Sequence, residues 1–219
     1  MSCSCWLLSV SRLCEPGTGE KKTRAWQNGG VPMLTATAYD THVEQLFDRV
    51  QQLHRILTAA GLPYRIVGGL AIFIHVFERD PVRARLTADV DAAIRREDLA
   101  AVVAAAGEAG WQYRHIDGVH ALVNAEKPKA RSAVHLVFLD EKVRPQYLEA
   151  VPNSTRETTR EGVSVAPVAD LVLMKLTSYR LRDRVHLQDL DAVGLITQEI
   201  EAALPEVLRS RLQEVRASE

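Results

Sequence analysis

Asp89 and Asp91, one residue apart, are the side chains of this 219-residue sequence best spaced for chemistry. A strand sends residues i and i+2 to one face with their α-carbons roughly 7 Å apart, so a strand over 89–94 aims both carboxylates at one point. Two acids that close repel unless a cation or a proton sits between them. Hard oxygen ligands completed by water and phosphate suit magnesium, or manganese in its place. Twenty residues before Asp89, Gly68-Gly69 separates the short run 64–67 from the apolar run 70–77. A residue without Cβ lets a phosphate approach the backbone, and a helix opening at Leu70 offers unpaired amide groups to an anion. Metal and polyphosphate would meet here.

Lys175 lies inside the apolar run 171–176. A lysine is seldom buried without a partner, so its ammonium either snorkels to water or meets an anion. His186 and Asp189 stand three apart on a helix and could share a cation, but a solvated helix face is the expectation. Arg79, Arg83, Arg85, Arg95 and Arg96 flank the acid pair; solvated surface is expected of them, with some available to hold phosphate.

The elements that must position these residues follow from periodicity. Val43, Leu46, Phe47, Val50, Leu53, Ile56 and Leu57 mark one face of a helix that starts near Asp40 or Thr41 and ends at Gly61. A strand over 64–67 enters the glycine pair, and a helix leaves it. Residues 78–87 read as a loop broken at Asp80-Pro81. After the acid-bearing strand, 97–109 is an alanine-rich helix stopped by Gly110. Asp117-Gly118 turns a hairpin between 111–114 and 119–123, and 133–139 is strand-like. Residues 140–160 read as a short helix and loop, and 162–165 as a last strand. Pro167 then opens a helix running through Arg180. Residues 200–215 form a closing charged helix or pair. The organisation expected is a disordered extension over 1–37, a core over 38–166 and C-terminal helices over 167–219. The fold class is α+β, a mixed sheet with helices packed on it.

A composition of 47% apolar and 25% charged residues is that of an ordinary globular protein, and a formal net charge of −1 argues against sequence-wide attraction to nucleic acid. No apolar run is long enough to span a membrane. Cys3, Cys5 and Cys14 all lie in the extension, without zinc-site spacing, and a cysteine-free body suggests a reducing cytoplasm.

Gly-Gly on a strand-to-helix turn followed by Asp-x-Asp on the next strand resembles the nucleotidyltransferase superfamily of DNA polymerase β. It is most similar to its minimal members, the AbiE-type toxin nucleotidyltransferases and related bacterial proteins, which also carry a lysine in a late helix. The resemblance spans 43–195. It implies a nucleoside triphosphate as substrate, a divalent metal on Asp89 and Asp91, phosphates at Gly68, Gly69 and Lys175, and Asp183 supporting the lysine and the nucleotide. It also implies a hydroxyl acceptor of unknown kind (RNA, protein or small molecule) and an antitoxin as candidate partner.

One position departs from the pattern. Members of the superfamily place a third carboxylate on the strand after the hairpin, and aligning their Val-Asp-Leu on Val134-His135-Leu136 puts His135 there. Strand alternation turns nearby Asp140 to the opposite face. Three outcomes stay open: His135 acts as general base, another acid substitutes, or transfer has been lost and a nucleotide-binding module remains.

Overall fold

The computed structural model describes residues 36–125, 133–154, 157–158 and 162–218. The expected N-terminal extension lies outside these, apart from its last two residues, which open a helix. The chain divides into two compact units, 1–45 and 46–219. Of the first, the described residues form the start of α1 (Ala36–Ala59).

Within the second unit, α1 continues with Leu46, Val50, Leu53 and Leu57 buried along one face. β1 (Arg65–Val67), all of it buried, leads into α2 (Gly68–Arg79). After a loop comes β2 (Val90–Ile94), a 3₁₀ turn (Arg96–Asp98), α3 (Leu99–Glu108) and the hairpin of β3 (Trp111–Ile116) and β4 (Val119–Asn124). β5 (Val134–Phe138), β6 (Glu157–Thr158) and β7 (Ser164–Val165) complete the strands. Four helices follow: α4 (Val168–Ser178), α5 (Leu181–Ala192), α6 (Gln198–Ala203) and α7 (Glu206–Ala217).

The sheet order is β3-β4-β5-β2-β1-β7-β6. β2 runs parallel to β5 and antiparallel to β1, while β1 runs parallel to β7, so the α+β class with a mixed sheet holds. α2 packs on β1 and β2 and against α4 and α5, and α7 packs on α4 and α5. A buried ion pair, Arg65 Nη1 to Asp170 Oδ2 at 3.3 Å, ties β1 to the first turn of α4. Among the described residues no helix is long and apolar enough to cross a membrane.

Several boundaries differ from expectation. β2 starts at Val90, leaving Asp89 one residue ahead of it, because the ladder with β1 ends at the Val67–Asp91 pair and the ladder with β5 one residue earlier, at Val90–Val134. The helix after Pro167 stops at Ser178, since Tyr179 takes a left-handed backbone with φ 47°. Among the described residues of 140–160 there is no helix. A bridge between Leu139 and Val151 holds that segment, and Glu157–Thr158 adds an edge strand the sequence did not announce. Pro205, at the N-cap of α7, divides the closing segment into a helix pair.

Candidate active site

Register builds the site. Val67 pairs with Asp91 across β1 and β2, and Asp91 pairs with His135 across β2 and β5. Val67, Asp91 and His135 therefore form a row across three strands, at the end of the sheet where β1 turns into α2, and Gly68 follows Val67 at that turn.

The Asp91 carboxylate is held from both sides. Its Oδ1 lies 3.3 Å from His135 Nδ1. Its Oδ2 occupies the notch left by the absent side chain of Gly68, where a Cβ would come within 2.2 Å of that oxygen. Gly68 also has φ +72°, a conformation that L side chains rarely adopt, so glycine is required there twice over. At Gly69 a Cβ would meet Thr87 Oγ1 at 2.9 Å and His186 Cε1 at 3.3 Å. What the two glycines admit in this structure is side chains: Asp91 at one, Thr87 and His186 at the other.

Asp89 and Asp91 are 44% and 30% exposed at their side chains, so both acids are open to water and to ligands. His135 is half-buried. Its hydrogen bond to Asp91 holds its pKa above the ordinary imidazole value, against the effect of burial, and the charges of Asp91 and Asp89 add to the rise. Among the described residues no group of three or more His, Cys, Asp or Glu is gathered to cage a metal ion. Two accessible carboxylates suit an ion that keeps several waters and is completed by substrate phosphates, as magnesium does.

Lys175 is buried, and its ammonium donates to Asp183 Oδ1 at 2.8 Å. The other oxygen of Asp183 accepts from Ser178 Oγ at 2.7 Å and from Arg180 through both its backbone N–H, at 3.1 Å, and Nε, at 3.0 Å. Burial alone would raise the carboxyl, but the Lys175 charge and these hydrogen bonds hold it at about 2. Of the two fates open to Lys175, this is the anion partner, and the anion is Asp183. Arg180 joins the two halves of the site, because it bonds Asp183 and feels the charge of Asp91.

Sequence reasoning passed over several cations. Arg182 Nη1 stands 3.9 Å from Asp89 Oδ2, and Arg49 on α1 feels the charge of Asp89. Arg182 had only the weak signal of arginine density around Asp183, in Arg180-Leu181-Arg182-Asp183-Arg184, and Arg49 had none. Arg85 pairs with Asp189 at 2.8 Å, whereas Arg83, Arg95 and Arg96 pair with acids at the surface, as expected of solvated arginines. The expectation of a solvated face fails for His186 and Asp189. Both are buried, His186 beside Gly69 and Asp189 under Arg85, and burial followed by the Lys175 charge pushes the imidazole of His186 down to about 4. Asp140 follows β5 at the end away from His135 and accepts from Asn153 Nδ2 at 2.8 Å, so it does not stand in for the missing acid.

No protein-family model and no curated protein matches the chain. Solved structures do. The antibiotic-resistance factor ANT(2'')-Ia in solution is 14% identical with a TM-score of 0.51, over 81% of this chain and 95% of that one. Its crystal structure with adenylyl-2''-tobramycin gives 13% identity and a TM-score of 0.48, over 78% and 98%. The Megavirus polyadenylate synthase gives 8% and 0.47, with 82% of this chain matched to 41% of the synthase. At such identities the likeness concerns the fold alone: this chain shares the fold of ANT(2'')-Ia.

Proposed function

We propose that the chain transfers a nucleoside monophosphate from a nucleoside triphosphate to a hydroxyl acceptor. The attacking oxygen would form a bond to the α-phosphorus, pyrophosphate would leave, and the hydroxyl proton would pass to a base. The observation that carries this reading is the strand row Val67–Asp91–His135, with Gly68 packed on Asp91 and Asp89 one residue ahead of β2, two accessible carboxylates at the head of α2. Asp89 and Asp91 would hold magnesium or manganese, which when bound neutralises phosphate charge and polarises the reacting phosphoryl group. Arg180 and Arg182 border the acids and would meet the phosphates, with Lys175 supporting them through Asp183.

His135 fits the role of base. Its ring is oriented by Asp91 and half-exposed, and an imidazole with a raised pKa accepts a proton readily once it is neutral. In the same reading the protein works in the cytoplasm, and its resemblance to AbiE-type toxins makes an antitoxin a candidate partner.

A second reading rests on the same residue. With His135 bonded to Asp91 where relatives keep a third acid, the fold would bind nucleotide without transferring it. His135→Asp separates the two. A gain in transfer marks an impaired enzyme, and magnesium-dependent nucleotide binding with no turnover in either protein marks a binding module. The acceptor is found by incubating the protein with magnesium, α-labelled nucleoside triphosphates and separate pools of RNA, protein and aminoglycosides. Label entering one pool supports transfer; no label in any pool refutes it.

A further inference from the structure

The cations of the site sit on one elbow, the junction of α4 and α5, and the elbow is held from outside the site. Tyr179 closes α4 with φ 47°, a conformation unfavourable for a side chain with Cβ and normally given to glycine at a helix C-terminus. Its ring is fixed by the last helix. The phenol O–H donates to Glu214 Oε2 at 2.7 Å and lies 3.2 Å from the Arg211 carbonyl oxygen. The guanidinium carbons of Arg211 and Arg184 stand 4.9 and 5.5 Å from the ring centroid. Arg211 also donates through Nη1 to the carbonyl oxygens of Leu176, at 2.6 Å, and Thr177, at 3.2 Å, satisfying acceptors that the end of α4 leaves open. The next residues along the chain are Arg180 and Asp183, and the Arg180 backbone N–H and Nε both donate to Asp183 Oδ2 where α5 starts.

We propose that Tyr179 and Arg211 are positioning residues: through them α7 sets the elbow angle at which Asp183, Arg180 and Lys175 are presented to the acid pair. A tyrosine held in a glycine conformation, locked by a helix that touches none of the reacting groups, has this use. If the contact served stability alone, glycine at 179 would relieve the backbone and leave the site unchanged.

The deeper claim rests on the proposed transfer only for its kinetic arm, so the test has two readouts. The first is the titration of the Asp183 carboxyl by carbon NMR, which needs no activity. The value of about 2 depends on Lys175, Ser178 and Arg180 keeping their places. Tyr179→Gly and Arg211→Ala are each expected to raise it by about one unit toward the ordinary aspartate value. The second readout is transfer, where kcat is expected to fall about tenfold or more with KM for the nucleotide within about twofold, since misplaced groups cost rate more than binding. Arg209→Gln, on the same helix but bonded to the carbonyl groups of Glu201, Ala202 and Leu204, serves as the control and should change neither. If Arg211→Ala does not fold, Arg211→Lys, which keeps the charge and loses the forked donor, carries the same test. An Asp183 carboxyl that titrates as in the wild type in both variants overturns the proposal. Wild-type protein without transfer refutes the proposed function and leaves the titration to decide.

Discussion

At the scale of single residues, three buried or half-buried titratable groups, His135, Asp183 and His186, decide how the site responds to pH. His186 is held at about 4 in the fold against an ordinary 6.5, so the unfolded chain binds the proton better. Stability therefore declines as pH falls from about 6.5 toward 4, by about 3 kcal/mol in all. Asp183 has the opposite origin and the same sign. Its carboxyl is held at about 2 against 3.8, so the stability it contributes is present above about pH 4 and is lost as pH falls through that interval, by about 2 kcal/mol. Denaturant titrations at pH 7, 5 and 3 should show both steps. His186→Asn should remove the first and Asp183→Asn the second, the latter also losing about 3 kcal/mol at pH 7 because it leaves the buried Lys175 without its counter-charge. His135 is raised by its bond to Asp91 in the metal-free fold, so imidazole NMR without magnesium should show it titrating above the ordinary histidine value, and Asp91→Asn should remove the rise. Asp89 and Asp91 stood out in the sequence by spacing and Lys175 by its apolar surroundings, whereas His135 was singled out only through the resemblance. Arg182 and Arg49 were not legible, since an arginine near an acid reads the same on any surface.

At the scale of elements, the junction of β1 and α2 carries the sharpest constraint. Gly68→Ala would set a Cβ 2.2 Å from Asp91 Oδ2 at a positive φ, so it should cost about 2 kcal/mol and displace the acid from His135. Gly69→Ala meets the Thr87 side chain at 2.9 Å and His186 Cε1 at 3.3 Å, looser contacts than at Gly68 and without a positive φ, and should cost less. Thermal melts of the two variants rank them directly, and equal losses would contradict the fit described. The sequence located this junction because strand, glycine pair and apolar helix are each short-range signals. It misplaced the end of α4 for the corresponding reason: a tyrosine in a left-handed cap is sustained by Arg211 and Glu214, more than thirty residues away, and nothing local announces it.

At the scale of the whole molecule, the α+β class could be read from alternating strand and helix periods, but not the order of the sheet. That β2 lies between β1 and β5, which brings Asp91 beside His135, is a matter of long-range pairing that no window of sequence contains. The C-terminal helices are integral to the second unit: Leu208 and Leu212 of α7 are fully buried, so either leucine changed to alanine should cost about 2 to 5 kcal/mol in chemical denaturation. The central claim, that Asp91 serves nucleotidyl transfer, is tested most directly by release of labelled pyrophosphate from γ-labelled nucleoside triphosphates with magnesium and the acceptor pool that takes up α-label, comparing wild type with Asp91→Asn. The account predicts release by the wild type and a loss of about a hundredfold or more in the folded variant. Equal release by the two proteins would contradict it.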